Sequence, residues 1–284
     1  MGKKKPFFWF YEDVDGLQLG LPVENVLYHG RSRYQEIYVL KAKGVGRVLV
    51  LDGCIQLTEK DEFIYHELIV HPILFTHPCP RQVLVIGGGD GGSVREILKH
   101  STVEHIDLVE IDAEVIEVAQ RYLPRISKGL KDKRVSIHIA NGIEYVKNTN
   151  QKYDVVIIDS TDPIGLAKAL YEKEFHLNLK QTLASDGLMV LQTQCPYYQE
   201  KALKQLHQCL KEIYPIVRIY VYTMPTYPGA LWSFTCGSLK YDPLAVDEKT
   251  IQNRWQGMKT RYYNPKVHLG VFLVLPQFML EEVT

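Results

Sequence analysis

The sequence predicts an α/β protein built around a mostly parallel, doubly wound sheet. From residue 80 onwards, short runs rich in Val, Ile and Leu alternate with segments in which apolar residues recur at helical spacing. The apolar runs are nearly continuous, which is typical of strands that are buried on both faces. Regular alternation of this kind indicates crossover helices on both faces of a sheet.

The elements of this alternation follow from the apolar periodicity. Two of the helices are expected to end shortly before Pro124 and Pro215, because proline does not continue a helix. The predicted strands span 83–86, 106–110, 135–139, 155–158, 188–192 and 217–222, and the predicted helices span 93–100, 113–122, 142–146, 173–183 and 199–213. Two more apolar runs, 232–237 and 271–275, are candidate final strands.

The first 75 residues have a different pattern. Residues 33–51 alternate partially between apolar and polar positions and are bounded by Asp52-Gly53, which favours short antiparallel strands and hairpins. Residues 62–75 have helical spacing until Pro72, which predicts a helix that bridges to the next part of the chain. We therefore expect a small β-domain over 1–75 and a larger domain over 76–284.

The composition excludes several classes of protein. The chain of 284 residues holds 33 Lys+Arg and 33 Asp+Glu, so no net charge attracts nucleic acid or an anionic membrane. The five cysteines include no C-x-x-C pair, which argues against a disulfide framework and a zinc site. No signal peptide is recognisable, and no apolar run approaches the roughly 20 residues of a membrane span. We expect a cytoplasmic protein without nucleic-acid or membrane partners.

A glycine-rich loop follows the first strand of the larger domain. Residues 87–92 read GGGDGG, and five glycines in six residues let the backbone turn tightly and approach a ligand closely. Glu110 ends the next strand about 20 residues later, where a carboxylate binds ribose hydroxyls. Asp112 competes for that role, although its position favours an N-cap. The pattern predicts a nucleoside site, and both a nicotinamide cofactor and an S-adenosyl compound remain open.

Asp90 lies within the glycine loop and changes its chemistry. A carboxylate there repels a pyrophosphate, and it also repels the carboxylate of S-adenosylmethionine. A cationic ligand group is attracted instead. The alternative is a purely structural role for Asp90, as a helix N-cap or as a brace within the loop.

Two later loops place further polar groups at the carboxyl ends of strands. Asn141-Gly142 either forms a simple turn or reads an adenine edge, and Asp159 and Asp162 either belong to a turn or bind cations. Carboxylates without a Cys/His ligand set favour a cationic organic substrate. A metal remains an alternative, because hard cations also take oxygen ligands. We expect no metal.

Several motifs in fixed order make the sequence resemble a known family. They are SRYQEI (32–37), VLDGCIQLTEKDEFIYHE (50–67), GGGDGG (87–92), VEID (109–112), DSTDPIG (159–165) and PTYPGALWSF (225–234). In these residues the chain is similar to the spermidine synthases, which are polyamine aminopropyltransferases. The resemblance implies a small N-terminal β-domain, a Rossmann-like methyltransferase-type catalytic domain that binds a nucleoside, and a homodimer or homotetramer.

The resemblance also implies a reaction. The aminopropyl group of decarboxylated S-adenosylmethionine, a co-substrate, is transferred to a diamine, and 5'-methylthioadenosine is released without a cofactor. Putrescine is the default acceptor, which gives spermidine, and agmatine, cadaverine or spermidine are the alternatives. Two other classes stay open: a methyltransferase that acts on a small amine, and a non-catalytic polyamine-binding relative.

The family motifs assign roles to individual residues. Asp159 is implied as the proton acceptor, with Tyr65 as a second catalytic residue, and residues 161–171 as a gate. The donor is implied to contact Gln35, Gly87, Asp90, Glu110, Asn141, Gly142 and Leu166, and the amines to contact Tyr65, His66, Asp90, Asp159, Asp162 and Tyr227. From spacing alone, Tyr65 and His66 fit equally well a helix face that packs on the core.

The chain departs from the family pattern at two positions. Asn141 stands where the family usually has aspartate, and we expect altered nucleoside binding because an amide oxygen still accepts a hydrogen bond from adenine. Leu166 stands where proline is common, which puts the stiffness of the gating loop in question.

Overall fold

The computed structural model describes residues 7–14, 16–163 and 165–279, and within these the side chain of Leu166 is not described. The described residues form two sheets, an antiparallel one of five strands and a mixed one of seven strands. The predicted α/β class with a preceding β-domain is confirmed. Among the described residues, no helix has the length and apolar character needed to cross a membrane.

The antiparallel sheet is a meander in which each strand pairs with the next along the chain. Its strands are β1 (Phe8–Val14), β2 (Leu17–Arg31), β3 (Glu36–Ala42), β4 (Gly46–Leu51) and β5 (Cys54–Thr58). The turn between β4 and β5 consists of Asp52 and Gly53, both with positive φ (46° and 82°). Two central residues with positive φ match the twist of a tight hairpin, and the Asp-Gly pair tolerates that conformation. The hairpins predicted in this region are therefore present.

Helix α1 (Glu62–Thr76) follows and continues through Pro72. Proline cannot donate a hydrogen bond to the carbonyl four residues earlier, so the Leu68 carbonyl loses its helical partner. The Tyr220 hydroxyl donates to that carbonyl at 2.9 Å. Ile69 and Ile73 of α1 share a hydrophobic core with the second sheet. The division of the chain at residue 75 stays a prediction.

The second sheet has the strand order β11-β12-β10-β9-β6-β7-β8, and the five strands from β10 to β8 are parallel. Its strands are β6 (Gln82–Gly87), β7 (His105–Glu110), β8 (Val135–Ile139), β9 (Tyr153–Asp159), β10 (Leu183–Gln192), β11 (Ile216–Thr223) and β12 (Leu231–Ser238). The helices between them are α2 (Gly92–Ile97), α3 (Ala113–Tyr122), α4 (Gly142–Asn148), α5 (Lys173–Thr182) and α6 (Glu200–Ile213).

The strand order reverses between β6 and β9. The chain proceeds from β6 to β7 and β8 on one side, and then returns to place β9 on the other side of β6. Ligands of such sheets bind at this switch point, outside the carboxyl ends of the strands. In the register of the two strands, Gly87 of β6 lies opposite Asp159 of β9. The glycine loop and the first of the two aspartates therefore meet at this point.

The expected strand at 271–275 is wrong. Residues up to Leu273 belong to helix α8 (Pro265–Leu273), which follows helix α7 (Glu248–Trp255). Asn264 caps α8, since its side-chain oxygen accepts hydrogen bonds from the amides of Lys266 and Val267, and Pro265 occupies the first helical turn. A short apolar run fits a strand and a buried helix equally well, and the start signals decide for the helix.

Candidate active site

Asp159 lies at the carboxyl end of β9 and accepts two hydrogen bonds from hydroxyl groups. The Tyr65 hydroxyl donates to Oδ1 at 2.8 Å, and the Ser93 hydroxyl donates to Oδ2 at 2.6 Å. Burial and the neighbouring Asp90 raise the pKa of Asp159, while His66 and the two hydroxyls oppose that rise. The result is a carboxylate that takes up a proton more readily than an exposed aspartate.

Asp90 faces Asp159 from the glycine loop. Its Oδ1 accepts a hydrogen bond from the Gly92 amide at 2.8 Å and lies 3.3 Å from Nε2 of His66. Burial acts to raise the pKa of Asp90, but the charge and hydrogen bond of His66 outweigh it, so the pKa is lowered. Asp90 thus braces its own loop, as the structural alternative proposed, and also presents a negative charge beside Asp159.

His66 connects Asp90 to a buried ion pair. Its Nδ1 lies 2.6 Å from Oε2 of Glu62, one helical turn earlier on α1. Burial alone would lower the pKa of His66, but Asp90 and Glu62 together raise it to about 10. Glu62 in turn accepts hydrogen bonds from both terminal nitrogens of Arg95, at 2.9 and 2.8 Å.

The glycines of the loop allow close contact within the protein itself. A Cβ at Gly87, whose φ is +80°, would lie 2.1 Å from the backbone oxygen of Asp159. A Cβ at Gly92 would lie 2.2 Å from the ring of His66. Only glycine fits at these positions, because larger residues would push Asp159 and His66 away from the loop.

Glu110 lies below the glycine loop at the end of β7. It accepts hydrogen bonds from the Gly89 amide (3.1 Å) and the Asp112 amide (2.9 Å). Burial raises the pKa of Glu110 to about 7. Asp112 caps α3 through the Glu114 amide, so the N-cap interpretation of Asp112 agrees with the structure.

Gln35 reaches this region from the N-terminal sheet. Its Nε2 donates to Oδ2 of Asp112 at 2.9 Å, beside a hydrogen bond from the Ser32 hydroxyl to the same oxygen at 2.6 Å. Asn141 caps α4, with its Oδ1 accepting the Ile143 amide at 2.8 Å. The oxygen that the sequence analysis assigned to adenine is thus already in use within the chain.

Asp162 follows Asp159 by three residues, and Tyr227 lies close enough to interact with the charge of Asp159. Asp162 Oδ1 accepts a hydrogen bond from Nε2 of Gln192 at 2.8 Å, and burial raises the pKa of Asp162. Tyr227 donates to the backbone oxygen of Gln56 in the N-terminal sheet at 2.5 Å, and its ring centroid lies 6.2 Å from that of Tyr65. Of the predicted site residues, only the side chain of Leu166 lies outside the described part of the chain.

Several residues at this site were not predicted from the sequence. Glu12 of β1 is buried, accepts the Ile55 amide at 2.8 Å, and has a pKa raised to about 7 by burial, with a contribution from Asp162. Its signal was an acid that directly follows five aromatic residues, FFWFYE. Ser93, Glu62, Arg95 and Gln192 gave no signal, because their roles depend on contacts between distant segments.

Among the described residues, two groups of side chains have ligand atoms close enough to hold a metal ion. One is His66, Asp90 and Asp159 within the site, and the other is His77, Asp154 and Asp186 at the amino ends of the strands. Nδ1 of His77 accepts the Cys79 amide, which places the proton of a neutral ring on Nε2. Two hydrogen bonds from backbone amides occupy Asp154. Hydrogen bonds within the chain already engage members of both groups, and the absence of a metal stays a prediction.

The fold and the site define an α/β enzyme that carries several carboxylates at the switch point of its sheet. Residues 62–249 match the spermine/spermidine synthase domain, and residues 8–59 match the spermidine synthase tetramerisation domain. The chain belongs to the spermine/spermidine synthase family of aminopropyltransferases, which are transferases of alkyl groups.

Similar proteins cover nearly the whole chain. A polyamine aminopropyltransferase of Methanocaldococcus jannaschii is 46% identical over 281 residues, which are 98% of this chain and 96% of the relative. One from Thermoanaerobacter is 48% identical over 272 residues, covering 95% and 96% of the two chains. A spermidine synthase crystallised with the transition-state analogue AdoDATO is 39% identical with a TM-score of 0.94, covering 100% of this chain and 98% of the other.

Proposed function

We propose that this chain transfers the aminopropyl group of decarboxylated S-adenosylmethionine to putrescine, giving spermidine and 5'-methylthioadenosine. The observation that carries the proposal is Asp159, a half-buried carboxylate with a raised pKa that accepts a hydrogen bond from the Tyr65 hydroxyl and faces Asp90. An amine site that must also remove a proton requires such a group. The relatives named polyamine aminopropyltransferase support the reaction class.

The donor binds across the switch point in this proposal. Glu110 and Gln35 hold the ribose side, Asn141 and Gly142 lie at the adenine side, and Asp90 takes the aminopropyl ammonium. Decarboxylated S-adenosylmethionine lacks the carboxylate that Asp90 would repel, so Asp90 selects it over S-adenosylmethionine. The solved relative with AdoDATO supports a donor that occupies the same cleft.

The reaction is a displacement at the carbon next to the sulfonium. The lone pair of the acceptor amine forms the new C–N bond, the C–S bond breaks, and its electron pair remains on sulfur as the thioether of methylthioadenosine. The amine must lose a proton, and against a lysine-like pKa of about 10.4 a free amine at pH 7 costs roughly 5 kcal/mol. Asp159 accepts that proton during the attack.

The acceptor is held at its far end by carboxylates from both domains. Asp162 and Glu12 interact electrostatically, and burial raises the pKa of both. The buried Glu12 and the half-buried Asp162, both with raised pKa values, are stabilised by a bound cation, which the second ammonium of a diamine supplies. Tyr65, His66 and Tyr227 line the path between this end and Asp159.

We also propose that the chain assembles into a homodimer or homotetramer through its N-terminal sheet. Residues 8–59 match a tetramerisation domain. β1 is an edge strand, and its side chains Trp9 and Tyr11 stack on each other with exposed fractions of 51% and 56%. An unpaired edge with exposed aromatic side chains is typical of a surface that another chain covers.

Mass spectrometry of the products tests the reaction. The purified chain is incubated with decarboxylated S-adenosylmethionine that carries ¹³C in its aminopropyl group and with an equimolar mixture of putrescine, agmatine, cadaverine and spermidine. The expected result is labelled spermidine as the dominant product together with methylthioadenosine. A dominant product from another amine would replace the proposed acceptor, and a gain of one methyl group with S-adenosylmethionine would indicate a methyltransferase. No product from any amine would favour a non-catalytic binding protein.

A further inference from the structure

Both ring nitrogens of His66 face carboxylate oxygens. Nδ1 lies 2.6 Å from Oε2 of Glu62, and Nε2 lies 3.3 Å from Oδ1 of Asp90. The ring is buried. A neutral imidazole has a single N–H, so the lone pair of its other nitrogen would face a carboxylate oxygen. The protonated ring donates to both.

We propose that Glu62 and Arg95 are positioning residues that keep His66 as a permanent imidazolium, which holds Asp90 ready for the ammonium group of the substrate. This inference rests on the proposed function for the identity of the ligand. The charge of His66 itself depends only on the contacts within the chain.

Hydrogen bonds from Arg95 keep the Glu62 side chain ionised. Arg95 donates to Oε1 with Nη1 at 2.9 Å and to Oε2 with Nη2 at 2.8 Å, which is the bidentate geometry of strong arginine–carboxylate pairs. The remaining Nε of Arg95 donates to Glu96 at 2.8 Å. Arg95 is thus held on both edges of its guanidinium plane. The pKa of Glu62 falls to about 2, although burial alone would raise it.

The imidazolium determines which oxygen of Asp90 is available. The Gly92 amide and Nε2 of His66 both approach Oδ1, so Oδ2 remains for a ligand among the contacts of the described residues. Loss of the proton on Nε2 would place a lone pair 3.3 Å from Oδ1. Asp90 would then rotate or take up a proton, and in either case its attraction for an ammonium group falls.

The charged and titratable groups around His66 come from four elements. Glu62 and Tyr65 lie on α1, Asp90 on the glycine loop, Arg95 on α2 and Asp159 on β9. Three are carboxylates and one is a guanidinium, so the surroundings favour the cation. The pKa of His66 at about 10 agrees with this geometry. Because it lies above the ordinary 6.5, the ring stays protonated through neutral pH and loses its proton only in alkali.

Nitrogen NMR of histidine-labelled protein measures the charge directly. The full chain is labelled with ¹⁵N at histidine, and His66→Gln assigns the signal. At pH 8 we expect both nitrogens of His66 at imidazolium shifts, and in Glu62→Gln we expect a neutral ring at the same pH. A neutral His66 at pH 8 in the unaltered chain overturns the proposal. So does an unchanged imidazolium in a folded Glu62→Gln.

Steady-state kinetics tests the consequence for Asp90. For Glu62→Gln we expect the donor KM at pH 8 to rise at least ten-fold, with partial recovery at pH 6, where the ring gains its proton. Arg95→Lys keeps the positive charge but loses the bidentate hydrogen bonds to Glu62, and we expect an intermediate rise of the donor KM. A loss that is equal at both pH values would indicate a merely structural role and would overturn the proposal.

A matched control separates the effect of losing the Glu62–Arg95 pair from the effect of losing an arginine–carboxylate pair elsewhere in the chain. Arg218 and Asp242 form a second fork, with contacts of 3.1 and 2.5 Å, away from the site. Asp242→Asn should leave the pH dependence of the donor KM unchanged, and a shift like that of Glu62→Gln would contradict the proposal. If the unaltered chain formed no aminopropylated product, the proposed function would fail, while the NMR experiment would still decide the charge of His66.

Discussion

The Asp159 carboxylate sits between two opposing influences on its pKa. Burial and Asp90 raise the pKa, and the hydroxyls of Ser93 and Tyr65 lower it by donating to the ionised form. A general base is most effective when its pKa lies near the working pH. In the proposed reaction, the hydroxyl donors thus keep the half-buried Asp159 ionised enough to accept a proton.

The first prediction concerns the hydroxyl of Tyr65. Tyr65→Phe removes a 2.8 Å hydrogen bond to the ionised form of Asp159, so the pKa of Asp159 rises further. A hydrogen bond to a charged group contributes about 1.5–3 kcal/mol, which corresponds to about one to two pH units. We expect the acidic limb of the kcat profile to move upward by that amount, measured by product formation between pH 5 and 10.

The control is a second tyrosine–aspartate pair. Its tyrosine, Tyr153, begins strand β9, the strand that Asp159 ends. The Tyr153 hydroxyl donates to Asp107 at 2.8 Å. Tyr153→Phe should lower the melting temperature and leave the acidic limb in place. If Tyr65→Phe lowered kcat equally at every pH, the Tyr65 hydroxyl would act by another route, such as orientation of the amine.

At the scale of elements, β9 shows why much of the sheet is predictable from sequence. Val155 and Ile157 pack into the core on one face of the sheet, and Val156 and Ile158 pack into the core on the other. A strand buried on both faces must be apolar at every position, and that pattern is visible in a single sequence. The glycine loop, Asp90, Glu110 and Asp159 are also predictable from the sequence, because each ends or follows one of these recognisable strands.

Other parts are not predictable, because they depend on contacts between distant segments. Glu62 and Arg95 are 33 positions apart, and nothing in the sequence around them indicates a bidentate ion pair. The helix through Pro72 depends on Tyr220, whose hydroxyl replaces the missing donor. The run at 271–275 has the composition of a strand, and the cap at Asn264 overrides it. Local patterns predict elements, and tertiary contacts decide their partners.

The second prediction belongs to the scale of elements and concerns β1, whose two faces differ in exposure. Trp9 and Tyr11 are exposed on one face, and Glu12 is buried on the other. Glu12→Gln removes a charge from the far end of the proposed amine site. We expect the KM for the acceptor to rise about ten-fold or more, with the donor KM and kcat nearly unchanged, because a charge-assisted hydrogen bond contributes about 1.5–3 kcal/mol.

The same variant should be more stable at alkaline pH. The pKa of Glu12 in the folded chain is about 7, above the ordinary 4.5, so the folded state binds more protons between these values. Stability is therefore lost as the pH rises through that window, and Gln avoids the loss. We expect a higher melting temperature for Glu12→Gln at pH 8 and no difference at pH 4. Glu24→Gln, at an exposed glutamate on β2, is the control and should change neither quantity.

At the scale of the whole molecule, both domains contribute to one site. Gln35 donates to Asp112, Tyr227 donates to the Gln56 carbonyl, and Thr226 donates to Asp61 at 2.7 Å. These contacts join loops of the large sheet to strand β5, to the β2–β3 connection and to the start of α1. A displacement of the N-terminal sheet would therefore disturb the donor side and the acceptor side of the cleft together.

The last prediction concerns assembly. The double change Trp9→Glu and Tyr11→Glu places two charges on the exposed face of β1, where burial against another copy would desolvate them. We expect sedimentation velocity to show a smaller species than the unaltered chain. The site residues named above lie within one chain, so we expect the smaller species to retain its activity within a few-fold.

Tyr197→Glu is the control for this change, because Tyr197 is an aromatic residue with a 68% exposed side chain that lies outside the N-terminal sheet. It should leave the oligomeric state unchanged. An unaltered assembly in the double variant would show that β1 does not form the interface. A smaller species that also lost most of its activity would show that a neighbouring copy supports the cleft, through the N-terminal sheet that carries Glu12 and Gln35.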